Sequence, residues 1–189
     1  KRVAISDWAK MLCARARRAD AVPNDVDDIV LLDTALGSEN SGDEIIMQAC
    51  SSVCFSLWGG VELRRIPTHY YVKESECLAE KVKILCGTNI IWKNMEDQTQ
   101  WALPHDLHSY QNVCLLGVGL SDVGINQRAT HYTKALYRSL LSSNLLHSVR
   151  DDRTKRFLNS IGFDNVVNTA CPTMWTLTPE LLASIPKKK

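Results

Sequence analysis

The sequence has no long hydrophobic run and almost no excess of charge of either sign. No apolar stretch approaches the roughly 18 to 20 residues that a membrane-spanning helix needs, and no signal-peptide pattern is present. Lysine and arginine number 22 against 21 for aspartate and glutamate, which gives a net charge of +1. This balance argues against a general affinity for nucleic acid or for an anionic membrane. We therefore expect no nucleic-acid partner and no membrane span, and any bound anion must be met by local basic groups.

The cysteines lack the paired Cys-x-x-Cys spacing of metal-binding and redox motifs. They are odd in number, and several lie inside apolar runs, at positions 13, 50, 54, 77, 86, 114 and 171. An odd count leaves room for one disulfide, but the pattern favours reduced and mostly buried thiols. Reduced thiols favour a cytoplasmic location over a secreted, disulfide-linked framework.

Two further motifs are incomplete. Gly117 and Gly119 are not followed by the third glycine of a dinucleotide-binding fingerprint, which argues against a nicotinamide cofactor. His105 and His108 flank Asp106, but no convincing third ligand accompanies them. We therefore expect no metal site and no nicotinamide cofactor.

The composition is that of an ordinary globular protein, with 45% hydrophobic and 23% charged residues in a chain of 189. We divide it into an N-terminal helix and linker (1–24, with the helix at 6–18), one α/β lobe (25–186) and a basic tail (187–189). The chain begins at Lys1 without methionine and ends in three lysines. We therefore expect it to be a fragment of a longer protein.

Strands and helices alternate along the lobe. Short apolar runs predict strands at 29–32, 82–86, 113–116, 145–149 and 166–167. Alternating apolar and charged residues at 61–66 predict a further strand, nearer an edge of the sheet. Helical spacing predicts helices at 43–58, 75–81, 127–143 and 152–161, with another starting after Thr178, whereas 93–111 has no clear period and is interpreted as a long connection. This order predicts a Rossmann-like α/β fold, with a mainly parallel sheet covered by helices on both faces.

Small polar residues follow five of the predicted strands, at 37–43, 87–89, 117–124, 150–151 and 168–175. In a parallel sheet these loops meet at the edge where the strands end, and ligands bind there. One such loop is explained by helix capping, and for the loop at 37–43 capping by Ser41 or Asp43 is the alternative interpretation. Five loops at one edge indicate a binding site.

The five loops also contain recognisable motifs. They are Asn40-Ser41-Gly42-Asp43, Gly87-Thr88-Asn89, Leu116-Gly117-Val118-Gly119, His147-Ser148-Val149-Arg150-Asp151 and Thr169-Ala170-Cys171-Pro172-Thr173-Met174-Trp175. In their order and spacing the chain resembles the polysaccharide pyruvyl transferase family over about residues 28 to 186. The resemblance implies a two-lobed, glycosyltransferase-B-like architecture, of which this chain holds the first lobe.

The resemblance also implies a reaction, the transfer of pyruvate from phosphoenolpyruvate to a sugar of a polysaccharide or its precursor. Two sugar hydroxyls add to the vinyl carbon, the neighbouring methylene takes a proton, and phosphate leaves. Such chemistry needs an acid, a base and a cationic anchor, but no metal or redox cofactor.

The candidate catalytic residues are Asp43, Arg150 and Asp151. Asp43 is placed to orient or deprotonate an acceptor hydroxyl, and Arg150 is suited to hold phosphate or carboxylate, with Asp151 positioning it. The candidate substrate-binding residues are Asn40, Ser41, Gly42, Gly87, Thr88, Asn89, Gly117, Gly119, Thr173 and Trp175.

Structural alternatives accompany these assignments. Arg150 is equally suited to an ion pair with Asp151 or Asp43, and Asp151 or Asp152 to capping of the next helix. Trp175 suits stacking on a sugar but is more typical of packing, and for Cys171 a buried thiol is favoured over a nucleophile.

Three functions remain open at this point. The first is a pyruvyltransferase-like enzyme. The second is a noncatalytic glycan-binding or assembly module, and the third is a glycosyltransferase that uses a nucleotide sugar. A missing C-terminal lobe or a homo-oligomer would cover apolar residues that face the cleft.

Overall fold

The computed structural model describes residues 25–72, 82–97, 100–103, 107–122 and 128–186, without the side chains of 108 and 109. The predicted helices at 6–18 and 75–81 and the basic tail at 187–189 lie outside this part of the chain. The side chains of His105, Asp106 and His108 also lie outside it.

The described part of the chain contains six strands and four α-helices. The strands are β1 (Ile29–Asp33), β2 (Arg64–Pro67), β3 (Val82–Cys86), β4 (Val113–Leu116), β5 (His147–Val149) and β6 (Val166–Asn168). The α-helices are α1 (Ser41–Leu57), α2 (His131–Leu140), α3 (Asp152–Ser160) and α4 (Pro179–Ser184). Short 3-10 helices occupy Val26–Asp28, Leu107–Tyr110 and Pro172–Met174.

The strands are parallel throughout. Four of them form a sheet in the order β2-β1-β3-β4, and β5 pairs with β6. A single bridge, between Val118 and Val149, joins the segment that follows β4 to β5. The prediction of a Rossmann-like α/β fold is confirmed, and the predicted edge position of the second strand is correct because β2 ends the order.

A buried histidine joins β4 to β5. The Leu115 amide donates to His147 Nδ1 at 3.2 Å, and His147 Nε2 lies 2.8 Å from the carbonyl of Ser142. Because Nδ1 accepts a hydrogen bond, the hydrogen of the neutral ring belongs on Nε2, which then donates to Ser142. The side chain thus satisfies a strand amide where the backbone ladder is interrupted.

Each face of the sheet has its own apolar core. Val30 and Leu32 of β1 face a large cluster that includes residues of α2 and α3, whereas Ile29 and Leu31 face a smaller cluster under α1. All five residues of β1 are buried, as expected for a central strand covered on both sides.

Thiols fill much of the layer between α1 and the sheet. Cys50, Cys54, Cys86 and Cys114 are free thiols there. Burial raises the pKa of Cys54 to about 12 and that of Cys114 to about 11. At neutral pH Cys54 and Cys114 therefore stay protonated and act as small apolar side chains.

Several predicted boundaries are wrong. The helix predicted at 127–143 is confined to His131–Leu140, because Thr130 caps its start by accepting from the Thr133 amide and Leu141 is extended. The predicted strand at 145–149 begins only at His147. The connection predicted at 93–111 is no solvent-exposed loop, since Met95, Trp101 and Tyr110 are buried in the larger core.

Among the helices that the structure describes, none combines the length and apolar character needed to cross a membrane.

Candidate active site

The strand order reverses between β1 and β3, which places a topological switch point there. The chain leaves β1 into the loop before α1, and it leaves β3 into residues 87–89. In open α/β sheets the crevice outside the carboxyl ends of such strands is the usual ligand site. The described parts of the five predicted polar loops all follow parallel strands, so they share this edge.

Asp43 lies between these two loops. It is only 6% exposed. The Ser38 hydroxyl donates to Asp43 Oδ2 at 2.7 Å, and the Thr88 hydroxyl donates to Oδ1 at 2.9 Å. One hydroxyl follows β1 and the other follows β3, so the carboxylate joins the two sides of the switch point. Its position in the first turn of α1 also suits a negative charge.

Asn40, rather than Ser41 or Asp43, caps α1. Its backbone is extended, and its side-chain oxygen accepts a hydrogen bond from the Gly42 amide at 3.0 Å. The capping interpretation of Ser41 and Asp43 is therefore wrong. Because Asn40 takes the capping role, the Asp43 carboxylate is available to bond the two loop hydroxyls.

Thr88 adopts a backbone conformation that is unfavourable for its residue type, with φ at +50°. Its carbonyl accepts from the Gly119 amide at 2.8 Å while its side chain reaches Asp43. Surrounding hydrogen bonds therefore hold a strained residue at the switch point. Strain of this kind is concentrated at functional sites.

Asn89, Gly119 and Arg150 form a second cluster beside Thr88. A Cβ atom at Gly119 would lie 2.1 Å from Asn89 Oδ1 and 2.7 Å from Arg150 Cδ. Only glycine lets both side chains approach this backbone. The Arg150 amide is fixed by the Val118 carbonyl at 3.0 Å.

The Arg150 guanidinium makes no hydrogen bond or ion pair with any other side chain in the described ranges. The residue is half-buried. Ion pairs with Asp43 or Asp151, the structural alternative, do not form. A half-buried cation without an internal partner is able to bind an anion from outside.

Asp151 caps α3, as one of its two interpretations predicts. Its Oδ1 accepts from the Thr154 amide at 2.7 Å and from the Thr154 hydroxyl at 2.9 Å. The Thr154 hydroxyl in turn accepts from the Leu120 amide at 2.8 Å. Asp151 therefore anchors the helix that follows Arg150, and a catalytic role for it stays a prediction.

The loop after β6 forms a separate group. The Ser148 and Thr169 hydroxyls lie 2.5 Å apart, and the Trp175 indole donates to the Thr169 carbonyl at 2.6 Å. This bond fixes the orientation of Trp175, which remains 37% exposed. The Thr173 hydroxyl donates to Cys171 Sγ at 3.1 Å, and Cys171 is half-buried rather than fully buried.

Two of the candidate glycines are required by side-chain packing. A Cβ at Gly87 would lie 2.0 Å from Ile46 Cγ2, and one at Gly117 would lie 2.2 Å from Pro172 Cδ. Both residues have positive φ. Close packing therefore explains why these positions are glycine, and substrate contact by them stays a prediction.

Asp43, Thr88, Asn89, Gly119 and Arg150 thus form one continuous chain of contacts. Among the other candidates, Asn40, Ser41 and Gly42 adjoin this chain of contacts at the start of α1, whereas Thr173 and Trp175 belong to the group after β6.

Sequence reasoning missed two supporting residues of the site, Ser38 and Asp33. Asp33 is fully buried at the end of β1 and accepts from the Ala35 amide at 2.7 Å and from Arg65 Nε at 2.5 Å. Ser38 lies within the predicted loop, five residues before Asp43, and this position could have identified its hydroxyl as a partner of the Asp43 carboxylate. The carboxylate of Asp33 directly after four apolar strand residues was another usable signal.

Within the described ranges, no three His, Cys, Asp or Glu side chains come together as a metal-binding group. The arrangement instead combines a hydroxyl-bonded carboxylate with an unpaired guanidinium. It can orient hydroxyl groups at one end and hold an anion at the other.

A comparison with known protein families identifies the family of the chain. The family model described as polysaccharide pyruvyl transferase matches residues 40–189. The match begins at the cap of α1 and includes each of the candidate site residues. Neither curated proteins nor solved structures gave a significant match. Because the matched segment covers well over half of the chain, this protein belongs to the polysaccharide pyruvyl transferase family.

Proposed function

We propose that the protein transfers pyruvate from phosphoenolpyruvate to two hydroxyls of one sugar in a polysaccharide or its precursor. The first hydroxyl oxygen bonds to C2 of the donor, and the donor methylene takes a proton to become a methyl group. The second hydroxyl oxygen then bonds to C2 as the C2–O bond to phosphate breaks, so that of the two hydroxyl protons one ends on the methyl group and the other on the departing phosphate. One cyclic ketal and one phosphate result, and no metal or redox cofactor enters the reaction.

The pairing of Asp43 with Thr88 is the observation that carries the acceptor side of the proposal. The hydrogen of the Thr88 hydroxyl is directed to Asp43, so its oxygen lone pairs remain to accept from a sugar hydroxyl. A proton leaving the sugar then passes through Thr88 to the carboxylate. Such positioned proton transfer contributes about 10² to 10⁴ in rate.

Arg150 carries the donor side of the proposal. Phosphoenolpyruvate presents a carboxylate and a phosphate, and a guanidinium binds either group with two parallel hydrogen bonds. Arg150 is half-buried and unpaired among the described residues, with the Asn89 amide beside it across Gly119. We assign Arg150 as the anion anchor and Asn89 as a neighbouring hydrogen-bonding group.

We further propose that this chain forms one wall of a two-lobed cleft. Helix α4 supports the idea, because none of its residues is buried and Leu181, Leu182 and Ile185 at its end are 44%, 51% and 50% exposed. A six-residue helix has little stability alone, so packing against a second lobe would supply the apolar contacts that the described residues do not provide.

The proposal is tested by incubating the chain with phosphoenolpyruvate and a panel of neutral and acidic oligosaccharides. We expect phosphate release that depends on one class of glycan, together with a ketal methyl signal in the proton NMR spectrum of the product. Chelation with EDTA should leave the rate unchanged.

Two results would contradict the proposal. Glycan binding without phosphate release, by protein in which this chain is folded together with the proposed second lobe, would favour the noncatalytic module. Transfer that requires a nucleotide sugar would favour the glycosyltransferase.

A further inference from the structure

A groove lined by basic residues lies between α2 and α3. Its volume is ≈ 490 Å³, within the range of pockets that hold small organic ligands. The apolar side chains of Leu120, Phe157 and Ile161 contribute to its lining. Five cationic residues also line it: Lys93, Arg128, Lys134, Arg153 and Arg156. We call this feature the basic groove.

Among the residues that the structure describes, none of those lining the basic groove is acidic. The nearby acids that the structure describes are directed to other partners: Asp122 pairs with Arg153, and Asp152 accepts from the Asn168 amide. Glu96 accepts from the hydroxyls of Thr130 and Thr133. The concentration of positive charge is therefore local, since the whole chain carries a net charge of only +1.

Three of the cations have no side-chain partner in the part of the chain that the structure describes. The side chains of Arg128, Lys134 and Arg156 make no hydrogen bond or ion pair with the rest of the described chain. Like charges around a concave surface repel one another, and an anion bound between them relieves that repulsion. Unpaired cations around a groove therefore indicate an anionic ligand.

The basic groove adjoins the candidate active site. Arg153 donates to the carbonyl of Leu120, and the Arg150 amide donates to the carbonyl of Val118. Both arginines thus contact the segment that follows β4. Arg150 precedes the capping residue of α3, Asp151, and Arg153 follows it. A chain-like ligand that occupies the groove can extend towards Arg150.

We propose that the basic groove binds carboxylate-bearing sugar units of the acceptor glycan, next to the sugar that receives pyruvate. The proposal rests on the proposed function, which makes a glycan the acceptor. The positive charge of the groove indicates that this glycan is negatively charged. Carboxylates suit two-point contact with the arginines. The acceptor is then an acidic polysaccharide, and the groove selects it over neutral glycans.

The test is isothermal titration calorimetry of the chain with tetragalacturonate and with its methyl ester. The ester keeps the sugar skeleton but removes the charge. We expect the acid to bind at least about tenfold more tightly, as charge-assisted hydrogen bonds require, with an affinity that falls as salt rises. Phosphoenolpyruvate is titrated in parallel.

The double variant Arg128→Gln/Arg156→Gln removes two unpaired cations from the groove. We expect its affinity for tetragalacturonate to fall by about tenfold or more, because the loss of one charge-assisted hydrogen bond lowers an affinity by about that factor. Lys155→Gln is the matched control, since it removes a charge from the same helix outside the groove. Circular dichroism verifies that both variants fold.

Several outcomes would overturn the assignment. They are equal binding of the acid and the ester, equal losses in the double variant and the control, and equally tight binding of single-stranded DNA. Loss of phosphoenolpyruvate binding in the double variant would assign the groove to the donor instead. These titrations need no turnover, so a failure of pyruvyl transfer is distinguishable from a failure of the groove.

Discussion

The two charged centres of the site differ in how the fold treats them. Asp43 is 6% exposed, and each of its carboxylate oxygens accepts from a hydroxyl. Arg150 is half-buried and unpaired among the described residues, although it lies on the same contact chain. A charge bonded on both sides is fixed in orientation, whereas an unpaired charge is available to a ligand. We therefore expect Asp43 to affect the chemical step and Arg150 to affect binding.

The largest effect is expected for Asp43→Asn. This substitution keeps the shape of the side chain but removes the proton acceptor, so kcat should fall by about 10² to 10⁴ while the donor KM changes little. Steady-state kinetics of phosphate release measures both parameters. Glu44→Gln, at the exposed neighbouring position of α1, is the matched control and should retain kcat. An Asp43→Asn variant with normal turnover would remove Asp43 from the mechanism.

Arg150→Gln should act on donor binding. We expect the KM for phosphoenolpyruvate to rise about tenfold or more, because a charge-assisted contact to an anion is lost. Arg150→Lys should recover only part of this loss, since lysine keeps the charge without the planar fork. Thermal unfolding should stay near that of the parent, because the guanidinium has no partner to lose among the described residues. A drop in melting temperature without a change in KM would show a structural role instead.

Gly119→Ala changes the chain of contacts that joins the two charged centres, Asp43 and Arg150. Its new Cβ would lie 2.1 Å from Asn89 Oδ1 and 2.7 Å from Arg150 Cδ, so both side chains must move. We expect a loss of about 1 to 3 kcal/mol in unfolding free energy, as in other overpacked sites, together with a higher donor KM. Urea denaturation and kinetics measure the two effects. Gly59→Ala separates backbone strain from close approach, because Gly59 has positive φ and no atom near its Cβ position, whereas Gly119 has the close contacts without a positive φ.

The smallest effect is expected at Asp151, and it depends on the substitution. Asn caps a helix as well as Asp does, so Asp151→Asn should retain both stability and activity. Asp151→Ala should lose about 1 kcal/mol of unfolding free energy with the cap. Chemical denaturation compares the two. If Asp151→Asn is stable but inactive, Asp151 has a chemical role beyond capping.

The sequence predicted the fold and the edge of the sheet at which the polar loops meet. Continuous apolar runs such as Val82–Cys86 are typical of strands buried on both faces, and strand order along the chain then placed the polar loops together. Helix ends were less predictable. Thr130, which caps the helix, lies three residues after the start of the span predicted at 127–143. The tertiary hydrogen bonds of the Thr133 and Thr130 hydroxyls with Glu96 fix that boundary.

Side-chain partners could not be read from the sequence. The bond between Asp43 and Thr88 spans 45 positions, and the contact of Gly119 with Asn89 depends on how β3 lies beside β4. His147 looked like part of a motif, but it serves to join two strands. Residue type indicates which groups are able to bond, whereas only the fold determines which of them meet.

The account rests on separate roles for Asp43 and Arg150 at one edge of the sheet. Calorimetric titration of phosphoenolpyruvate into the parent chain, Asp43→Asn and Arg150→Gln tests this most directly. We expect the first two to bind the donor equally and Arg150→Gln to bind it about tenfold or more weakly. If Asp43→Asn loses donor affinity as Arg150→Gln does, or if Arg150→Gln binds the donor normally, the assignment of separate roles is wrong.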